Sequence, residues 1–177
     1  MSADAPPASF VDTNVLVYAL AADDRKRSPV AQELLRELMT TQTLHTSTQV
    51  LQELFVTLTR KVRTPLTAEQ ALRYLDQIAA WPVAVLDYGA IRAAIELRAT
   101  SSLSFWDALV VVAAARSGAK RLYTEDLQNG QVILGVEVVN PFRASQRIKV
   151  GPIVWSATFV QAGRVEKAGR PTGGWTR

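Results

Sequence analysis

The sequence predicts an α/β protein with a central parallel sheet of about four to five short strands, flanked by helices. Short apolar runs of strand length alternate with longer segments in which apolar residues recur at helical spacing. This alternation is typical of parallel strands joined by right-handed crossovers. With 177 residues, of which 48% are hydrophobic, the chain is long enough for one ordinary domain and its core.

Five apolar or β-branched runs fit strands, and they lie at residues 9–11, 43–46, 83–86, 121–123 and 136–139. The fifth run is closed by Asn140-Pro141, since proline cannot donate to a sheet ladder. No internal repeat is present.

Helices are predicted between the strands, at residues 15–22, from Ser28 onward, and at 47–62, 67–80, 88–99 and 104–118. Ser28-Pro29 fits an N-cap followed by proline at the first helical position. Thr67, with Gln70 close behind, is a second capping signal. The apolar side of the 47–62 helix includes Leu54 and Phe55, and residues 108–115 are so apolar that their helix is expected to be central.

The composition excludes several kinds of site and segment. The chain has no cysteine, so neither disulfides nor thiolate chemistry are available. Its one histidine, His45, rules out a zinc site built on several histidines, and a Ser-His-Asp triad would have to use it inside a predicted strand. No apolar run reaches the ~18 residues of a membrane span, and the first residues lack a secretory signal. We therefore expect a cytoplasmic protein with no membrane segment.

The net charge of +4 hides an asymmetry along the chain. Residues 143–177 carry seven basic residues and one acidic residue, giving +6, whereas the other 142 residues carry 13 basic and 15 acidic, giving −2. A basic tail is typical of contact with a polyanion, and the alternative is a solvated extension. We predict one folded domain at 1–142 and a basic, poorly ordered extension at 143–177, with a candidate hairpin at 148–159 and a loose end at 163–177.

Four acidic residues are candidates for a shared site. Asp12 and Asp126 follow predicted strands, Asp107 begins a helix, and Glu53 lies at the border of the apolar side of its helix. Carboxylates gathered where strands end repel one another, and a hard divalent cation that prefers oxygen ligands relieves that repulsion. The pattern indicates a metal site and phosphodiester chemistry. Glu125 is expected at the surface, with a fifth acid as the alternative.

Each acid also has an ordinary structural interpretation. Asp12 fits a helix N-cap, and Asp107 fits a capping box with Ser104. Glu53 fits a boundary glutamate on a solvated face, and Asp126 fits a polar turn. These interpretations leave unexplained why three of the four acids lie at strand-to-helix junctions of one predicted sheet edge.

The order of these motifs resembles the PIN domain, and within it the VapC-like ribonuclease toxins of bacterial toxin–antitoxin pairs. The matching stretches are residues 10–16 (FVDTNVL), 52–54 (QEL), 104–109 (SFWDAL), 122–128 (LYTEDLQ) and 139–142 (VNPF). The likeness covers about residues 9–142, and the tail from Arg143 has no counterpart in it.

The resemblance implies metal-dependent endonuclease cleavage of single-stranded RNA. The implied site consists of oxygen-bearing side chains: the catalytic and metal-binding acids Asp12, Glu53, Asp107 and Asp126, supported by Thr13, Asn14 and Thr124. The implied cofactor is Mg²⁺ or Mn²⁺. Asp12 and Asp107 are predicted to contact the metal directly, while Glu53 and Asp126 complete its shell or orient a water.

The resemblance also implies partners, namely an RNA substrate, a small cognate antitoxin over the active cleft, and a second copy of the chain in a homodimer. Arg60, Lys61 and Arg63, at the end of the Glu53 helix, are predicted to hold the RNA. The basic run at 25–27 is a further candidate. Both clusters fit solvated faces or antitoxin contacts equally well.

Two other functions fit part of the sequence. A phosphatase with Asp12 as nucleophile would want a second acid two residues on, where this chain has Asn14. A PIN-like module that binds RNA or a partner without cutting would have no need for four intact acids.

Overall fold

The computed structural model describes residues 6–21 and 24–143, which form an α/β fold with a mostly parallel central sheet, as predicted. The elements, in chain order, are β1 (Ser9–Val11), α1 (Thr13–Ala21), α2 (Arg27–Thr40), β2 (Leu44–Ser47), α3 (Thr48–Arg60), α4 (Ala68–Ala79), β3 (Val83–Ala84), α5 (Tyr88–Ala99), α6 (Phe105–Arg116), β4 (Arg121–Tyr123), β5 (Val132–Ile133) and β6 (Val136–Val139).

The six strands form one sheet in the order β3-β2-β1-β4-β6-β5, and only β5 runs antiparallel to its neighbour. The chain proceeds outward from β1 through β2 to β3, then returns to the other side of β1 with β4. The direction of winding therefore reverses between β1 and β4, and ligands of open α/β sheets bind outside the carboxyl ends of such a strand pair. Val11 pairs with Tyr123, so the next residues, Asp12 and Thr124, are brought together at that end.

The core confirms that α6 is central. Every residue from 108 to 114 is buried. Part of α6 joins the main apolar cluster with the sheet and α1–α4, and the rest packs against α5 around Ala90 and Ala94. Because α6 is fixed on two sides, the position of its first turn, which carries Trp106 and Asp107, is set by the core.

The sheet departs from the prediction at its edges. The β3 strand has two residues rather than four, and Val85 beyond it is 77% exposed. The β5 strand was not predicted. Ile133 and Val136 pair across a two-residue loop whose residues, Leu134 and Gly135, have φ of 51° and 77°. Positive φ at both positions is what a type I′ hairpin turn requires, but Leu-Gly is not its usual sequence signature.

The helix starts also show one wrong prediction. Helix α2 begins at Arg27 rather than after Ser28, because the Asp24 carboxylate accepts the backbone N–H groups of Lys26 and Arg27. The Ser28 hydroxyl is buried and accepts no capping hydrogen bond. Thr67 and Gln70 form the predicted capping box at the start of α4.

Helix α3 begins at Thr48 with Ser47 as its N-cap and buries Val50, Leu54 and Leu58, as the periodicity predicts. Phe55, predicted on the same apolar side, is 37% exposed because it lies on the flank of the stripe. Among the described residues, no helix combines the length and apolar character needed to cross a bilayer. The predictions for residues 144–177 lie outside the described residues, and the domain boundary at 142 stays a prediction.

Candidate functional site

Asp12 lies at the point where the sheet changes its winding direction, directly after β1. Its backbone N–H donates to the Tyr123 carbonyl at 3.1 Å, which extends the β1–β4 pairing by one residue. Its side chain is only 8% exposed. The Asp12 Oδ1 atom accepts the N–H of Thr13 at 2.7 Å, whereas an N-cap would accept from the second or third helical residue. The carboxylate is therefore not engaged as an ordinary helix cap.

Thr124, at the end of β4, holds the other carboxylate oxygen of Asp12. The fully buried Thr124 hydroxyl donates to Asp12 Oδ2 at 2.8 Å and accepts from Asn14 Nδ2 at 3.1 Å and from the Asp126 N–H at 3.2 Å. Asn14 Nδ2 also donates to Asp126 Oδ2 at 2.9 Å. One hydroxyl and one amide thus connect the acid that follows β1 to the acid that follows β4.

Glu53 joins the same network from α3. The Thr13 hydroxyl donates to Glu53 Oε2 at 3.0 Å, and Gln49 Nε2 donates to Glu53 Oε1 at 2.9 Å. The side chain is half-buried, which confirms its predicted place at the border of the apolar stripe. Three of the predicted acids, Asp12, Glu53 and Asp126, are thereby linked through Thr13, Asn14 and Thr124.

The pKa of Asp12 reflects its burial and the acids around it. Burial, with a smaller contribution from the nearby charges of Asp126 and Glu53, raises the pKa of Asp12 from its ordinary 3.8 to about 6. The hydrogen bonds from Thr124 and Thr13 act in the opposite direction, since they stabilise the carboxylate. A carboxylate with a raised pKa beside two other acids is typical of a functional site.

Asp107 is not joined to this network by any hydrogen bond of the described residues. Its Oδ2 accepts the Ser104 hydroxyl at 2.6 Å, and its N–H donates to the Ser104 oxygen at 3.1 Å. This is the local arrangement of a helix start, although the carboxylate contacts the hydroxyl of Ser104 and not its amide. The neighbouring Trp106 lines the same cleft as Thr13 and Glu53, so the first turn of α6 forms one border of the site.

That cleft has a volume of about 380 Å³ and lies between α3 and the start of α6. Of the three cations predicted to hold RNA, Lys61 lines it, whereas Arg60 and Arg63 are exposed residues outside its lining. In the basic run at 25–27, Arg27 is engaged by ion pairs with Asp24 at 3.1 Å and Glu125 at 3.2 Å.

A cluster beside Asp126 was not predicted from the sequence. Glu125, expected at the surface, is partly buried and accepts the Tyr18 hydroxyl at 2.6 Å as well as Arg27. The Arg27 guanidinium lies 5.0 Å from the centre of the Tyr18 ring, and Phe142 contacts that ring edge-on at 5.1 Å. Burial and the bond to Glu125 raise the pKa of Tyr18 to about 12. The cluster joins α1, α2 and the segment after β4, which no local pattern indicates.

The donor set fits a hard divalent cation in its chemistry. Carboxylate, hydroxyl and amide oxygens surround Asp12, and the Oδ1 atom of Asn14 is buried without a hydrogen-bond partner. A cation would also offset the burial and the smaller like-charge repulsion that raise the pKa of Asp12. However, no three acidic or histidine side chains of the described residues converge on one point as a preformed cage would.

A protein-family comparison matches residues 9–130 of this chain to the PIN domain. No curated protein matches the sequence. The match spans β1 to the segment before β5 and so includes every predicted acid.

Solved structures with the same fold are distant in sequence. One is a toxin–antitoxin complex from Klebsiella pneumoniae, with a TM-score of 0.56 and 19% identity over 76% of this chain and 98% of that one. Another is the toxin VapC20 of Mycobacterium tuberculosis, described as cleaving the sarcin-ricin loop, with a TM-score of 0.50 and 22% identity over 67% of this chain and 90% of that one. At these identities the likeness concerns the fold alone.

Proposed function

The chain belongs to the PIN domain family, and from this premise we propose that it is a metal-dependent endoribonuclease that cleaves single-stranded RNA. We further propose that it acts in the cytoplasm as the toxin of a toxin–antitoxin pair, as a homodimer controlled by a small antitoxin. Two structures of the same fold are a toxin–antitoxin complex and a toxin described as cleaving the sarcin-ricin loop, which is our reason for choosing this biological role.

One observation carries the proposal. A buried carboxylate, Asp12, lies where β1 and β4 change the winding direction of the sheet, and its pKa is raised by burial and by two further acids. Keeping such a group charged at neutral pH costs free energy. The described residues offer it two short hydrogen bonds, from Thr13 and Thr124, and a long one of 3.5 Å from Asn14, but no ion pair with a cationic side chain. A bound divalent cation would supply the missing positive charge.

The residues have distinct roles in this proposal. Asp12 and Asp107 contact the metal, and Glu53 and Asp126 complete its shell or orient a water. Thr124 holds Asp12 in place, while Thr13 and Asn14 fix Glu53 and Asp126 relative to it. The metal, Mg²⁺ or Mn²⁺, would lower the pKa of a bound water and stabilise charge on the phosphate.

RNA would be held along α3, with Lys61 as the cation next to the site. Arg60 and Arg63 lie further along the same segment and would contact the RNA outside the cleft. Phosphate contacts of this kind fix the position of the RNA without reading its sequence.

The proposal is tested by incubating the protein with fluorescent single-stranded RNA across a titration of Mg²⁺ and of Mn²⁺. We expect cleavage that EDTA abolishes and that Asp12→Asn reduces by orders of magnitude. The control is Glu69→Gln, which removes an acid whose side chain is 82% exposed and which, among the described residues, forms an ion pair only with Arg73. Undiminished cleavage in excess EDTA by a clean preparation would rule out metal dependence. A shift of RNA mobility without cleavage would identify a binding module, and turnover of small phosphomonoesters a phosphatase.

The biological role has its own test, which is expression in bacteria. We expect the intact chain to arrest growth and Asp12→Asn or Asp107→Asn to permit it at equal protein levels. Equal toxicity of all three proteins would remove catalysis as the cause. The reading frame next to the gene is also informative, since a short frame with a DNA-binding start and an amphipathic end would supply the antitoxin.

A further inference from the structure

We propose that the cleft between α3 and α6 is a nucleobase subsite, in which a base of the RNA stacks on Trp106 and gives a hydrogen bond to Gln49. The inference rests on the proposed function, because the site network of Asp12 and Glu53 then holds the phosphodiester next to that base. Bases with an exocyclic amine are the class that this subsite selects.

The cleft is continuous with the site. It is lined by Thr13 and Glu53, which belong to the hydrogen-bond network around Asp12, and it extends outward between Trp106 and the side of α3. Its volume of about 380 Å³ lies within the range of cavities that bind small ligands, roughly 300–1,000 Å³. A nucleotide whose phosphate lies near Asp12 therefore has room for its base within this cleft.

Gln49 is the observation that points to a ligand. It lines the cleft although it is only 4% exposed, and its Nε2 is already used by Glu53. Its Oε1 atom is buried and accepts no hydrogen bond from the described residues. A buried acceptor without a donor costs free energy. A ligand N–H group that reaches Gln49 Oε1 would supply the hydrogen bond that the free protein lacks.

Trp106 supplies the opposite wall. A tryptophan normally buries most of its large surface, yet this one is 62% exposed and contacts Phe105 in an edge arrangement. The helix that carries it is fixed by its buried residues 108–114, so the ring is presented from a rigid element. Aromatic side chains at such positions stack nucleobases, and stacking tolerates every base because each has a π-face.

The choice among bases then depends on Gln49 and Gln52. Adenine and cytosine present an amino group that can donate to Gln49 Oε1, whereas the single N–H of the uracil base lies between two carbonyl oxygens. Gln52, exposed on the same side of α3, can reach a second position on the base edge. Lys61 lies eight residues beyond Glu53, or about 12 Å along the helix axis, where it can contact a neighbouring phosphate.

The experiment measures binding of short labelled oligoadenylate, oligocytidylate and oligouridylate by fluorescence anisotropy. The full-length chain carries Asp12→Asn so that RNA is not cut, and the salt concentration is raised to weaken contacts from the basic tail. We expect adenylate and cytidylate to bind several-fold more tightly than uridylate. Adding Trp106→Ala is expected to weaken all three roughly tenfold, and Trp106→Phe to keep most of the affinity.

The second variant separates selectivity from stacking. Gln49→Met removes the acceptor at similar volume, and we expect it to abolish the preference over uridylate. Tyr88→Ala and Gln131→Met, which change exposed residues outside the cleft, are the matched controls and are expected to bind as the parent does.

Two outcomes overturn the subsite. The first is equal affinity of the parent for all three RNAs. The second is that Gln49→Met keeps the base preference while Trp106→Ala also keeps the affinity of the parent. If Trp106→Ala does not fold, Trp106→Phe and Gln49→Met still decide the point. Cleavage by the wild type is measured in parallel. If the wild type cleaves RNA but the Trp106 and Gln49 variants bind RNA as the parent does, only the subsite is wrong. If the variants show the expected binding changes but the wild type does not cleave RNA, the proposed function is wrong and the subsite stands.

Discussion

The carboxylate of Asp12 is costly to keep charged in the folded protein. Its pKa of about 6 means that at neutral pH the folded protein carries a buried negative charge that the unfolded chain would hold in water. Thr124 and Thr13 reduce this cost by donating hydrogen bonds, and Asp126 and Glu53 increase it. Side chains at the site are therefore arranged at the expense of stability, as is common where function depends on a charged group.

Replacing Asp12 by Asn is expected to stabilise the metal-free protein at neutral pH. The folded pKa lies above the unfolded one, so the favourable contribution of protonated Asp12 is complete below pH ~4 and is lost as pH rises through about 6. The shift from 3.8 to about 6 corresponds to an upper limit of about 3 kcal/mol. Urea unfolding of both proteins at pH 4 and pH 7 measures it: the stability difference should grow in favour of the variant between these values.

The effect of Mg²⁺ on stability is a second comparison of the wild type with Asp12→Asn. At roughly tenfold over its dissociation constant, Mg²⁺ should stabilise the wild type by about 1.4 kcal/mol and the Asp12→Asn variant clearly less. Equal metal-induced shifts in the melting temperatures of the two proteins would mean that Asp12 is not a ligand.

The hydroxyl of Thr124 is expected to set the acid limb of the activity profile. Thr124→Val removes the donor to Asp12 Oδ2, and because that hydrogen bond lowers the pKa of Asp12, the pKa should rise above about 6. The loss of the buried hydrogen bonds should also cost about 1–3 kcal/mol of stability. Cleavage rates measured from pH 5 to 8 should show the acid limb moved to higher pH, and Thr124→Ser should restore it. An unchanged pH profile in a folded Thr124→Val protein would contradict this role.

Among the elements, helices that start directly after strands place the polar groups of the site. Helix α1 follows β1 without a loop, so Thr13 and Asn14 in its first turn point back to Glu53 and Asp126. Helix α3 likewise follows β2 and is capped by Ser47. Each of these helices is held by its apolar stripe, and the residues on the flank of the stripe are left to form the site.

The β5–β6 hairpin is expected to gain stability when its turn is corrected. Leu134 has a φ of 51°, a conformation that costs a branched side chain free energy and that asparagine tolerates. Leu134→Asn, which creates the preferred Asn-Gly turn, should therefore stabilise the protein by about 1 kcal/mol in urea unfolding. Gly135→Ala, at a φ of 77°, is the opposite control and should destabilise it by a similar amount. A loss of stability in Leu134→Asn would show that the leucine side chain contributes packing that outweighs its backbone strain.

Taken as a single unit, the protein combines a mildly acidic body with a strongly basic tail. The body reaches at least to Phe142, whose ring packs against Tyr18, and Tyr18 connects in turn to Glu125 beside the site. The point at which the tail leaves the described fold is therefore close to the acids. Its charge of +6 favours contact with a polyanion.

Truncation after Phe142 is expected to leave a folded enzyme that still cuts RNA. All six strands of the described sheet and the four predicted acids precede this residue. Removal of Phe142 as well should destabilise the protein, since the aromatic contact with Tyr18 is lost. Thermal unfolding and the cleavage assay compare the two truncations with the full chain. Loss of cooperative unfolding in the longer truncation would show that the tail packs on the core.

The local sequence was enough to predict most of the elements. Periodicity and capping residues located five strands and six helices, because these signals act over about one helical turn or one strand. They failed where the signal was atypical, as with the Leu134-Gly135 turn, or where a carboxylate replaced the expected cap, as Asp24 did for Ser28. The order of motifs was also sufficient to predict the PIN family, which the family comparison confirms.

Which distant side chains come into contact is decided by the tertiary structure. The bond between Thr13 and Glu53 joins residues 40 apart, and the bond between Thr124 and Asp12 joins residues 112 apart. No local pattern determines such distances, because they follow from the strand order and from the core that fixes α3 and α6. The same packing leaves Asp107 bonded to Ser104, draws Glu125 to Tyr18 and Arg27, and leaves the Gln49 oxygen without a donor. Residue types and their order can be read from the chain, whereas which of them share one site is decided by how its buried faces pack.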